Sequence, residues 1–253
     1  MAGAMETFTR LYPDRADGLS PVDVAAELPG PAPDDRPFVC LNMISTADGR
    51  ATVKGRAGHI ANRADYELFH ATRARMDAIM VGAETIRIES YGRAINSAEA
   101  RERREREGMP ADIATVVVTR RVSLPADVGL LKAAENTVIV LTPSEDGELP
   151  AEAKATVEYL RETDLPEGLR RLRRGHGIAS LVCEGGPNLN ATLLPAGLVD
   201  ELHLVYAPKL AGGRDPLTIL GGDELDPPID LELLTLHESG GYLFCRYRVR
   251  SPG

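Results

Sequence analysis

Short apolar runs recur along the chain, separated by polar turns and by stretches with helical spacing. Residues 38–44, 78–81, 113–118, 137–141, 156–160, 178–183 and 202–207 have the length and branching of buried strands. Between them the pattern changes to that of helices. One is expected from Asn62, with Asn62 as cap, Asp65 in the first turn, Leu68, Phe69 and Thr72 at helical spacing, and Arg73 and Arg75 near its end. Residues 97–107 read as a charged, solvated helix, and 166–174 as a helix with a basic outer side. The chain closes differently: 231–238 and 242–249, joined by Ser239-Gly240-Gly241, read as a β-hairpin. Alternating strands and helices followed by a hairpin predict an α/β fold of three layers, α-β-α, with a mostly parallel sheet and a C-terminal antiparallel hairpin.

Residues 1–36 break the pattern and read as an extension and linker ahead of one domain, 37–253. Prolines 21, 29, 31, 33 and 37 punctuate the segment, and Ser20-Pro21 opens one short helix within it. The net charge of −9, without a basic stripe, argues against nucleic acid as a partner. No apolar run approaches the roughly 18 residues of a membrane span, and the N-terminus lacks a signal-type core, so a cytoplasmic protein is expected. Cys40, Cys183 and Cys245 show no pairing by spacing and read as core thiols.

The stretch 178–198 concentrates the candidate chemistry. A strand ends at Glu184, Gly185-Gly186 turns the chain, and Pro187 opens a helix whose Leu189, Leu193, Leu194 and Leu198 face inward. Strand, glycine turn and helix start together suit an anion, with a carboxylate at the lip; a tight turn inside an α/β domain is the plainer alternative. The five histidines show no metal spacing, so no metal is expected. The chain also lacks a Gly-x-Ser-x-Gly elbow, a Walker loop and the Gly-x-Gly-x-x-Gly fingerprint. The remaining polar groups, Ser45, Asp48, Thr85, Glu184 and the Gly186 helix start, fall at strand ends, where open α/β sheets bind ligands. A phosphate-bearing cofactor with a carboxylate at hand is the physical expectation.

Three ordered blocks resemble the reductase domain of riboflavin biosynthesis, the RibD C-terminal family. They are residues 42–50, Asn-Met-Ile-Ser-Thr-Ala-Asp-Gly-Arg; residues 73–85, from Arg73 through Asp77 to Thr85; and Glu184-Gly185-Gly186-Pro187 with 198–202 and Ala207-Pro208. The resemblance covers nearly all of the chain beyond the N-terminal segment. It implies a dihydrofolate-reductase-like fold, a homodimer, and NADPH-dependent reduction of a pyrimidine of the 5-amino-6-(5-phosphoribosylamino)uracil type, without the zinc deaminase half often fused to this domain. In that family's reaction a hydride reaches C1′ of an opened ribosylamino side chain.

Carried over block by block, the resemblance assigns Ser45, Thr85 and Glu89 to the cofactor. It places Gly185, Gly186, Pro187, Asn188, Leu189, Asn190 and Thr192 around the pyrophosphate, and Arg120 at the adenosine end. Asp48 and Glu184 become catalytic and substrate-bordering residues, with Arg73 and Arg93 on the substrate. One segment departs from the family: where its members carry a run like Asp-Asp-Pro-x-Leu-Thr-x-Arg, this chain has Glu89-Ser90-Tyr91-Gly92-Arg93, with Arg93 out of register. That departure leaves two alternatives open, a reductase of the same fold acting on a pterin such as dihydrofolate, and a non-catalytic NADPH-binding protein.

Overall fold

The first described elements are strands, where the sequence predicts an extension and linker. In the computed structural model, which describes residues 5–161 and 163–250, β1 (Phe8–Tyr12) and β2 (Ala16–Leu19) pair antiparallel. β1 also adds to the C-terminal hairpin, with Thr9 opposite Glu238. Phe8 is buried and meets Phe244 edge-on at 5.0 Å. The short helix is present as α1 (Pro21–Ala25), closed by a reciprocal capping box between Ser20 and Asp23.

Beyond it lie β3 (Phe38–Thr46), α2 (Arg63–Arg73), β4 (Ala78–Gly82), α3 (Ala83–Glu89), α4 (Ala98–Arg106), β5 (Ala114–Val118), α5 (Gly129–Lys132), β6 (Thr137–Leu141) and β7 (Thr156–Leu160). Then come α6 (Leu165–His176), β8 (Ser180–Cys183), α7 (Pro187–Leu193), β9 (Glu201–Ala207), β10 (Leu231–Ser239) and β11 (Tyr242–Val249). The described strands form one 11-stranded sheet in the order β2-β1-β10-β11-β9-β3-β8-β4-β5-β6-β7. From β9 to β7 every pairing is parallel, and from β9 outward through the hairpin every pairing is antiparallel. The α/β class, the mostly parallel sheet and the C-terminal hairpin are therefore as the pattern predicts.

Period-two alternation sorts the core. Phe38 and Cys40 face one side with Ile79, Val81 and Ile86, under α3, α4 and α5. Val39 and Leu41 face the other with Met80, Leu169, Leu172, Leu189 and Leu193, under α6 and α7. The three cysteines are free and buried. Gly168 lets α6 lie close on β6, since a Cβ there would collide with the Leu141 side chain.

Helix α4 corrects its reading as a wholly solvated face. Arg104 is only 1% exposed. Its Nη1 donates to the carbonyls of Ala74 and Met76 at 2.8 and 2.9 Å, and its Nε to that of Pro110 at 2.8 Å. It ties together loop carbonyls that no helix or strand satisfies.

The chain returns from the β7 edge to place β8 between β3 and β4. The turns that follow β8 and β4 therefore lie side by side at the carboxyl edge, where ligands of such sheets bind.

Candidate active site

The carboxyl ends of the central strands open into a cleft of about 2100 Å³. One end is walled by Met43 and Ile44 of β3, the segment from Ala51 to Ala61, and Asp65, Phe69 and His70 of α2. Its middle is formed by the starts of α3 and α7. The far end, past β5 and β6, carries Thr119, Arg120, Arg121 and Ser123.

Two glycines make the middle. Gly82 precedes α3 and Gly186 precedes α7, each as an N-cap without a side-chain partner. The Gly82 N–H donates to Gly185 O at 2.7 Å, locking the two turns together. The Gly186 carbonyl receives the N–H groups of Leu189 and Asn190 at 2.9 and 3.1 Å, so α7 starts tightly. A Cβ on Gly186 would lie 2.9 Å from Thr85 Oγ1. The glycine thus keeps bare backbone against the cleft wall.

Glu184 does not stand at the lip as the sequence reading places it. Its side chain is 2% exposed, and its oxygens are held by Arg73 Nε at 2.6 Å, Arg73 Nη2 at 2.8 Å and Tyr91 Oη at 2.6 Å. Burial alone would lower the Arg73 pKa, but the adjacent carboxylate outweighs it and holds the guanidinium above its ordinary value. Burial first, and then Glu184, pushes the Tyr91 phenol well up. Arg73 also lies 4.2 Å over the Phe69 ring. Glu184, Arg73 and Tyr91 all line the cleft, yet they face one another rather than open solvent. Arg73 is therefore a partner of Glu184 before it can be a ligand contact.

Other assigned residues divide in two. Thr85, Glu89, Gly186, Pro187, Asn188, Leu189, Thr192, Arg93 and Arg120 line the cleft. Ser45, Asp48, Gly185 and Asn190 are not part of that lining. Ser45 is buried and donates to its neighbour's carbonyl, Thr46 O, at 2.9 Å. Asp48 is an exposed turn former that accepts from Thr46 Oγ1 at 2.5 Å and from the Gly212 N–H at 2.6 Å. Those bonds, the Thr46 hydroxyl first, lower its pKa to about 2. Asn190 is 1% exposed and bonds Ile219 O at 2.8 Å, stapling α7 to the loop before β10. Short polar residues often bond the backbone, and these three do.

Two cleft residues have partners already. Glu89 accepts the Ala57 N–H at 2.9 Å, tethering the segment that covers one end of the cleft. Arg93 is forked onto Asp112 at 2.5 and 2.8 Å, with Glu135 at 3.4 Å. Among the described residues no cluster suits a metal ion, and no helix is long and apolar enough to cross a membrane.

The sequence reading missed Tyr91 as a partner of Glu184, and Asp65 and His70 as cleft residues. Asp65 was legible only as a first-turn acid, favourable to the helix dipole. Its place on the same face as Phe69 and Arg73, at i, i+4 and i+8, is the signal that marks it.

A family model described as the RibD C-terminal domain matches residues 37–241. The chain belongs to the RibD C-terminal domain family. A relative from Methanothermobacter thermautotrophicus is 33% identical over 223 residues, spanning 85% of this chain and 99% of that protein. Another, from Archaeoglobus fulgidus, is 31% identical over 193 residues, spanning 74% and 88%. Both are named 2,5-diamino-6-ribosylamino-4(3H)-pyrimidinone 5′-phosphate reductase. A crystal structure of a pyrimidine reductase-like protein from Corynebacterium diphtheriae shares the fold, with a TM-score of 0.75, 21% identity, and coverage of 92% of this chain and 100% of the other. The family match takes in all three blocks on which the sequence resemblance rests.

Proposed function

We propose that this RibD-family chain reduces 2,5-diamino-6-ribosylamino-4(3H)-pyrimidinone 5′-phosphate with NADPH. The carrying observation is the cleft itself: two interlocked glycine turns at its middle, an arginine-bearing end, and a half-covered end under α2. The full-length relatives bear the name of that reductase, and their substrate keeps the 2-amino group that a uracil lacks.

The residues fit a dinucleotide. Gly186 leaves room where a Cβ would strike Thr85 Oγ1, and the exposed Arg120 stands at the far end beside Thr119. In this reading Gly186, Pro187, Asn188, Leu189 and Thr192, with Thr85 opposite, hold the pyrophosphate. Arg120 receives the adenosine-side phosphate that distinguishes NADPH from NADH. With Arg120 at the adenosine end, Met43 and the α2 residues Asp65, Phe69 and His70 would border the reacting end of a bound cofactor. When bound, NADPH supplies the hydride. The protein orients the sugar carbon, and the Ala51–Ala61 segment, pinned by Glu89, shields it from water. Glu184 shapes this floor by fixing Arg73 and Tyr91.

The test is NADPH oxidation with the ribosylaminopyrimidine phosphate and with dihydrofolate in parallel. Turnover of the first and not the second is expected, and turnover of dihydrofolate alone would replace this reading with a pterin reductase. Arg120→Ala is expected to lower the preference for NADPH over NADH about tenfold, the scale of one charge-assisted hydrogen bond. An unaltered ratio in steady-state kinetics would remove Arg120 from the cofactor site.

A further inference from the structure

Reducing a C=N group consumes a hydride and a proton, and the second needs an acid at the covered end of the cleft. The polar groups there are few. Glu184 is held by Arg73 and Tyr91. Glu89 accepts the Ala57 N–H. His70, lowered to about 4 by burial first and then by Arg73, is neutral near pH 7. Tyr66 packs edge-on against that imidazole at 4.4 Å and is exposed. Lys209 donates to Ile60 O at 2.6 Å and is not part of the cleft lining. Asp65 remains.

Its backbone N–H is bonded by Asn62 Oδ1 at 2.9 Å, closing the cap of α2. Its side chain is half-buried and lines the cleft among Ile44, Ala57, Ala61 and Phe69. This desolvation is the cause that raises the Asp65 pKa to about 6, although the first turn of a helix favours a charged carboxylate. A substrate that expels more water raises it further.

We propose that Asp65 is the proton donor of the reduction, an inference that rests on the reductase reading above. C1′ of the opened sugar accepts the hydride and its C=N π pair moves onto nitrogen. That pair takes the Asp65 proton: an N–H bond forms and the carboxyl O–H breaks, the two electrons being those of the hydride that bound NADPH would supply. The carboxylate regains its proton from solvent once product departs.

The sign of the pH dependence follows. A donor must be protonated, so kcat/KM is expected to fall as pH rises through about 6, and kcat to fall at a higher pH. Asp65→Asn, which keeps shape and polarity, is expected to lose about 10²–10³-fold in kcat and that descending limb, with NADPH affinity within about twofold. Asp65→Glu, which restores a carboxyl, is expected to recover at least about a tenth of the activity. A readout on the free protein stands apart from turnover. An infrared difference spectrum between about pH 5 and about pH 8 is expected to contain a carboxylic-acid band that Asp65→Asn removes. Full kcat in Asp65→Asn, or an unchanged pH profile, would overturn the donor role. Absence of wild-type turnover would overturn the reductase reading and the donor role with it. The infrared band tells that case from a carboxyl that never takes up its proton.

Discussion

Glu184→Ala is expected to cost about 3–5 kcal/mol of folding stability, read as a lower urea midpoint with an unchanged slope. The size follows from what is left behind. Arg73 is 9% exposed at its side chain, and loses both guanidinium bonds to Glu184 at 2.6 and 2.8 Å. Its bond to Ala94 O, at 3.3 Å, is too long to compensate. The Tyr91 hydroxyl loses its acceptor in the same step. An uncompensated buried charge is more costly than a missing pair, so removing both partners is the control. Arg73→Met/Glu184→Leu is expected to regain most of the lost stability. A loss under about 1 kcal/mol in Glu184→Ala would mean that water already reaches the pair. Glu184→Gln separates charge from shape, since the amide keeps one acceptor for Arg73 but leaves the ion pair broken.

The same triad explains how far the site was legible in the sequence. Glu184, Gly186 and Thr85 come from motifs local to one strand end, and such motifs place a residue at the cleft without saying what its side chain meets. The partner of Glu184 is Arg73, 111 positions earlier, and only the insertion of β8 between β3 and β4 brings them together. Asp48 and Asn190 were assigned from the same resemblance, yet one secures the loop at 211–212 and the other the loop at Ile219. Proximity in sequence to such a motif did not separate residues that line the cleft from those that build the turn.

The fold was more legible than the site, for a physical reason. Strand β6 lies at its expected residues because it is a short apolar run between Asn136 and Pro143, and β7 because Val157 and Tyr159 alternate with polar residues. β1 and β2 escaped notice because β1 is held by pairing with β10, more than two hundred residues away, and β2 is held in turn by β1. Helix α3 escaped because its N-cap, Gly82, offers no side-chain signal. Arg104 shows the limit of reading charge as exposure: long side chains can bury a stem and satisfy stray carbonyls from the wrong side of a polar helix.

Gly186→Ala is expected to weaken NADPH binding about 10- to 100-fold while changing stability by less than about 1 kcal/mol, as measured by fluorescence titration and urea denaturation of the same protein. The backbone tolerates the change, because Gly186 sits at φ −76° and ψ −176°, an extended conformation open to any residue. The obstacle is the new methyl group. It would lie 2.9 Å from Thr85 Oγ1, closer than real Cβ contacts allow. Thr85 must then rotate or the two turns must separate, and the second motion strains the 2.7 Å bond between the Gly82 N–H and Gly185 O. Either response moves the wall that the pyrophosphate would touch. Loss of one or two charge-assisted contacts there corresponds to the expected range. Thr85→Ala/Gly186→Ala makes the cause visible: with the hydroxyl gone the methyl fits, and affinity is expected to return to within the loss of the Thr85 contact alone. If the double variant binds no better than Gly186→Ala, the glycine serves the cofactor through its own bare backbone instead, and Thr85 is only its neighbour.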